Sequence, residues 1–189
     1  MKFKDLVLKN RSYRSFDMNE RIGEERLKSY VDMARITAST ANLQALKYKV
    51  VHTPQECEKA LSCTKWAGYL SHMDIPPQGH APTGYVVICC DTDITANTTA
   101  FFKDTGIAAQ TILLAAAEDG FGGCMIGSVD EEKIKDALSI PENMKVTLVI
   151  ALGKPDEAVE LVEFDGDIKY YRENGVHYVP KRSLEEVLI

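Results

Sequence analysis

Hydrophobic residues recur along this chain in two rhythms, one helical and one stranded, and their alternation predicts a mixed fold. Over residues 24–36, Leu27, Tyr30, Val31 and Ala34 fall at helical spacing with Arg26, Lys28 and Asp32 on the other side, which predicts an amphipathic helix. Residues 48–52 predict a strand. Thr53-Pro54-Gln55-Glu56 follows with a hydroxyl to cap, proline at the first helical position and a glutamate three residues on, so a second helix should run to about residue 62. Over 64–83 the rhythm fails: Gly68, Gly79, Pro76, Pro77 and Pro82 interrupt the chain while Trp66, Tyr69 and His72 supply bulk, predicting a loop that covers something. Residues 85–90 predict a buried strand. The longest helix is predicted over 101–119, and its centre, 107–117, is hydrophobic most of the way round. Such a helix must be covered on nearly all faces, either within one subunit or with the help of a second. Gly120-Phe121-Gly122-Gly123 predicts a turn that ends it, and Ser128-Val129-Asp130-Glu131 predicts the cap of the next helix. Residues 146–152 predict a third strand closed by Gly153-Lys154-Pro155, and Ser183-Leu184-Glu185-Glu186 predicts a short last helix.

Length and charge narrow the picture. The 189 residues suit one domain over 1–189, of α+β class around a small sheet, with no repeat or linker to divide it. A net charge of -6 argues against nucleic acid, whose nonspecific binding depends on lysine and arginine displacing counterions. No run approaches the roughly 20 apolar residues of a membrane span, and the charged N-terminus is unlike an export signal. Five cysteines, an odd number without a CxxC pair, suit a reducing compartment, so a soluble cytoplasmic protein is expected. Cys89 and Cys90 are adjacent in a strand, and their side chains should point to opposite faces.

Four segments could carry chemistry. Asn10-Arg11-Ser12-Tyr13-Arg14-Ser15-Phe16 brings two guanidiniums and two hydroxyls together, either to bind a phosphate or as a solvated face. Ala38-Ser39-Thr40-Ala41-Asn42-Leu43-Gln44 either hydrogen-bonds a planar heterocycle or forms a turn that bonds its own backbone. Gly120-Phe121-Gly122-Gly123-Cys124-Met125-Ile126-Gly127 is no dinucleotide fingerprint, because it follows a helix and has Met125 where the third glycine belongs; it still allows close backbone approach to a flat ligand. Val179-Pro180-Lys181-Arg182-Ser183 is a second cationic cluster, able to share a dianionic phosphate with the first. Cys63, His72 and His80 lack metal-ligand spacing, and no Ser-His-Asp or GxSxG signature occurs, so no side-chain nucleophile and no metal site are expected.

Taken together and in this order, the four segments resemble those of the FMN-dependent nitroreductase family, in particular its compact members with a short lid. The resemblance implies a nitroreductase-like fold, with a small mixed or antiparallel sheet flanked by helices and a long central helix at the core of a homodimer. It implies FMN at the subunit interface, NADH or NADPH as electron donor, and a small electrophilic acceptor such as a nitro compound or quinone reduced in ping-pong order by flavin-centred chemistry. A flavin-binding module without turnover, or a flavin-modifying or dehalogenating relative, is the alternative on the same fold. By resemblance, Ser12, Lys181 and Arg182 would hold the FMN phosphate with Arg11, and Arg14 would reach the ribityl and pyrimidine side. Ser39, Thr40, Asn42 and Gln44 would come from the partner subunit, and the backbone at Gly122 and Gly123 would lie against the ring. The chain departs from the family pattern at Asn10, where a second arginine is usual, and at Ala38, where a proline is usual.

Overall fold

The computed structural model describes residues 2–189. Its main sheet is antiparallel and runs in the order β2 (Leu46–Val51), β3 (Gly84–Asp91), β5 (Met144–Pro155). The far edge of β5 is shared by β4 (Gly122–Ile126) and the two-residue β1 (Phe16–Asp17). Every residue of β3 is buried, as a strand covered on both faces requires. Val86 and Ile88 face one layer with Ile150 and Leu152, against α2 (Glu24–Arg35) and α4 (Phe102–Glu118). Tyr85, Val87 and Cys89 face the other with Val149 and Ala151, against α3 (Pro54–Ser62) and α5 (Glu131–Leu138). Cys89 and Cys90 accordingly lie in different clusters, and all five cysteines are buried thiols.

The predicted helices at 24–36 and 101–119 and the strands at 48–52 and 85–90 are present within two residues of their expected limits. Thr53 caps α3 as expected, accepting from the Glu56 amide, and Ser183 and Glu186 form a capping box on α6 (Leu184–Val187). Two expectations are corrected. The glycine-rich segment is a strand rather than a turn: only Gly120, at φ 79°, ends α4, and β4 begins at Gly122 because its neighbours leave no room for side chains. A Cβ on Gly123 would stand 2.1 Å from the Ala151 carbonyl oxygen, and one on Gly122 would stand 2.5 Å from the Tyr13 ring. The cap of α5 is Asp130, which accepts from the Lys133 amide, and not Ser128.

The third strand is also longer than expected. It continues through Gly153, whose missing side chain leaves space for the Phe16 ring. A register shift at Ile88/Cys89 sets Thr147 apart, and its hydroxyl donates to the Ile88 carbonyl at 3.0 Å while accepting from Thr105 of α4 at 3.1 Å, tying the helix to the sheet. A second, three-stranded sheet lies beyond β5: β6 (Ala158–Glu163) runs parallel to β8 (Val176–Lys181), and β7 (Tyr171–Glu173) is antiparallel to it. Asn174 and Gly175, both at positive φ, make the tight turn between β7 and β8. The 64–83 segment is irregular apart from a 3-10 turn at Gly68–Leu70, as expected of a covering loop. Among the described residues no helix is long and apolar enough to cross a membrane.

Candidate functional site

The segment from Arg11 to Phe16 is fixed from both sides. Phe16 is fully buried under Gly153 and pairs with Pro155, while Ser12 bridges Gly123 and the Tyr13 amide donates to the Gly123 carbonyl at 3.0 Å. Arg11, Ser12 and Arg14 therefore line a cleft of about 380 Å³ whose other wall is the second sheet. Lys181 and Asn10 also line it, and Gln110, Leu113, Met125, Val159 and Val179 supply much of the remaining surface. The lining holds three cations and no carboxylate, in a protein of net charge -6.

Donors in this cleft are left open. Arg11 gives one amino group to the Val7 carbonyl at 2.6 Å, but its Nε is buried without a partner. Lys181 has no ion pair among the described residues. A buried N–H without an acceptor costs on the order of 1–3 kcal/mol, so an anion arriving here recovers energy already spent in folding.

Arg14 is buried, and its environment was not legible in sequence. Its Nη1 lies 3.1 Å from His177 Nε2 and its guanidinium sits 4.8 Å over the Tyr170 ring. His177 is 1% exposed; burial, reinforced by Arg14 and Arg172, pulls its pKa down from 6.5 to about 4, so the ring is neutral and Nε2 accepts from Arg14. Beneath them the Glu157 carboxylate accepts from the Arg14 amide and pairs with Arg172. Burial raises the Glu157 pKa, against the pull of the Arg14 amide and the Arg172 charge. Glu157, Arg172 and His177 thus hold Arg14 from below. His177 and Arg172 are cross-strand partners on β8 and β7, a pairing visible only once the Asn174-Gly175 turn is recognised.

The remaining predicted residues divide. Ser39 and Gln44 line a separate cleft of about 320 Å³, with Asp104 and Ala108 of α4, that shares no residue with the first. There the Ser39 and Thr40 hydroxyls and the Thr40 amide all donate to Asp104, at 2.8, 2.7 and 2.8 Å. Burial acts to raise the Asp104 pKa, yet these hydrogen bonds, with Lys103 nearby, bring it below its usual value. Ala41, Asn42 and Gln44 are all held at φ between 50° and 55°, and the Gln44 side chain donates to the Asn42 carbonyl at 3.3 Å. Three non-glycine residues in the left-handed region cost roughly 1–3 kcal/mol each, a strain that the Asp104 clamp holds in place.

Gly122 and Gly123 are buried by packing; the β4 side chain that faces the basic cleft is Met125, and Gly127 follows in a smaller cleft of about 200 Å³ with Lys65, Trp66 and Ser128. Arg182 is not brought to either cleft: it pairs with Glu186 at 3.3 Å and stacks 4.3 Å over Phe164.

Residues 79–154 match the model of the nitroreductase family. The NADPH-flavin oxidoreductase of Vibrio harveyi is 26% identical over 171 residues, covering 83% of this chain and 67% of that protein. A nitroreductase family protein from Clostridium novyi NT superposes with a TM-score of 0.69 at 22% identity over the whole of both chains. A protein from Exiguobacterium sibiricum 255-15 solved in complex with FMN has a TM-score of 0.67 at 15% identity, covering 83% of this chain and 90% of its own. The fold is that of the nitroreductases.

Proposed function

We propose that residues 1–189 form a single FMN-binding domain that works in the cytoplasm as a homodimeric NAD(P)H oxidoreductase. The observation that carries this reading is the basic cleft, where Arg11, Ser12 and Lys181 converge with open donors and no opposing acid. That donor set fits a terminal phosphate, and the apolar wall of Leu113, Met125 and Val159 fits a flat ring system. Bound FMN would supply two-electron transfer from NADH or NADPH to an electrophilic acceptor such as a nitro compound or quinone, in ping-pong order. The protein would contribute orientation and a fixed charge: Arg14, clamped by His177 and Glu157, sets a cation beside the ring portion of the cleft without reorganising.

Two features support the dimer. The Ser39–Gln44 segment is strained and clamped as functional segments are, yet it lines a cleft separate from the basic one, so a second copy is the direct way to bring both to one ligand. Apolar side chains also stand exposed along the faces such a copy would cover: Phe3 and Leu8 on α1 (Phe3–Lys9), Phe102 and Ile107 on α4, and Leu184, Val187 and Leu188 at the C-terminus.

The test is the visible spectrum of the purified protein, before and after anaerobic NADH and then NADPH, with its mass in solution determined in parallel. Flavin bands that bleach with a nicotinamide, on a particle of twice the chain mass, are expected. A protein that cannot be reconstituted with FMN, or whose flavin neither nicotinamide reduces, overturns the reading.

A further inference from the structure

Three clefts meet at one side chain. Tyr170 lines the basic cleft, the smaller cleft beside Trp66 and Gly127, and a third cleft of about 390 Å³ between the 64–83 loop and the second sheet; no other described residue lines all three. Its ring is held by aromatic contacts, with the Arg14 guanidinium 4.8 Å over it and the Tyr69 and His177 rings tilted against it at 5.0 and 5.3 Å. Its hydroxyl has no hydrogen-bond partner among the described residues, so what fixes Tyr170 is the shape and π-surface of the ring.

The loop above is tied down on both sides of this contact. The Lys65 amide donates to the Ser128 carbonyl at 2.9 Å, Thr64 bridges Val129, and the His80 carbonyl accepts from the Phe16 amide at 3.1 Å. Tyr69, on the 3-10 turn, then rests on Tyr170. The outer cleft is lined by Tyr69, Leu70, His72, Met73 and Tyr171, with Asp165 beside a Lys169–Asp167 ion pair at 3.8 Å, so it offers aromatic surface on the far side of the partition while its lysine is already paired.

We propose that Tyr170 sets the size of the acceptor: its ring separates the space beside the cofactor from the outer cleft, confining the enzyme to compact single-ring electrophiles and excluding polycyclic ones. The inference rests on the oxidoreductase reading above and deepens it. Removing the ring joins the outer cleft to the inner space, and a fused-ring acceptor gains the room that the single-ring acceptor does not need.

The test compares the FMN-loaded wild type with Tyr170→Phe and Tyr170→Ala, using 1,4-benzoquinone and anthraquinone-2-sulfonate as acceptors. The ratio of kcat/KM for the large acceptor over the small one should rise about tenfold or more in Tyr170→Ala and stay within about twofold in Tyr170→Phe. Tyr170→Val, which keeps an apolar group beside His177, should move it in the same direction if the alanine variant folds poorly. Trp66, the sole tryptophan, lines one of the joined clefts and gives a second readout: anthraquinone-2-sulfonate should quench its fluorescence at lower concentration in FMN-free Tyr170→Ala than in FMN-free wild type. A ratio unchanged in the folded alanine or valine variant overturns the proposal, as does quenching that does not tighten. If the wild type binds no FMN, the oxidoreductase reading falls by itself, and the Trp66 titration still decides whether Tyr170 bars the outer cleft.

Discussion

The two clefts that touch α4 are built on opposite principles. In the basic cleft, cations are gathered and two are left with open donors: among the described residues Arg11 Nε has no acceptor, Lys181 has no counter-ion, and no carboxylate lines the wall. In the Ser39–Gln44 cleft both hydroxyls and the Thr40 amide are already committed to Asp104, and the backbone is strained into one conformation. The first arrangement stores affinity for an anion, since binding completes hydrogen bonds that folding left open. The second stores shape, since a segment held this firmly pays little further entropy when it meets a ligand or a second subunit.

The sharpest way to break this comparison is to remove the open donors. Replacing Arg11 and Lys181 together by alanine should weaken FMN binding by roughly 100- to 1,000-fold, the worth of two charge-assisted contacts to a phosphate. Flavin retention on dialysis and a fluorescence titration would measure it. Affinity within threefold of wild type would move the phosphate elsewhere.

How much of this could be read from the sequence differs between the two sheets. The main sheet was legible because β3 and β5 are continuous apolar runs and α2 and α4 carry a clear helical period, with Thr53-Pro54 marking a boundary by local chemistry. The second sheet was not, because β6 and β8 are partly exposed, β7 has three residues, and the side chain that contacts His177, Arg14, is far away in sequence. One signal was present and overlooked, the Asn174-Gly175 hairpin turn. The site divided in the same way. Arg11, Ser12, Arg14 and Lys181 do converge, whereas the glycines of β4 answer to packing against Tyr13 and Ala151, which no local pattern reveals.

Acid should separate the clefts by the opposite charge states of their buried groups. His177, neutral when folded and flanked by Arg14, Arg172 and Glu157, has a lowered pKa, so the unfolded chain binds the extra proton between pH 6.5 and 4 and stability falls as pH drops through that window. The loss is at most about 3 kcal/mol at pH 4. Asp104 is charged when folded with a lowered pKa; its contribution is intact above its ordinary value of 3.8 and is lost only at lower pH. Urea unfolding from pH 7 to 3 should therefore show a decline above pH 4 that His177→Gln flattens and Asp104→Asn leaves in place. A His177→Gln curve parallel to wild type would mean that the imidazole is already protonated beside Arg14.

The smallest expected effect bears on two adjacent residues that sequence alone treats alike. Lys181 is the last residue of β8 and Arg182 follows it, and along an extended chain successive side chains point to opposite sides. Lys181 faces the basic cleft. Arg182 faces away, its guanidinium shared between Glu186 and the Phe164 ring, where it holds α6 against the end of the second sheet. Arg182→Ala should accordingly change FMN affinity by less than about threefold and cost stability of only about 0.5 kcal/mol, the usual worth of an exposed ion pair. The same titration that measures the double variant checks it. A loss as large as that of Lys181→Ala would show that the C-terminal segment turns Arg182 into the cleft once the second subunit is in place.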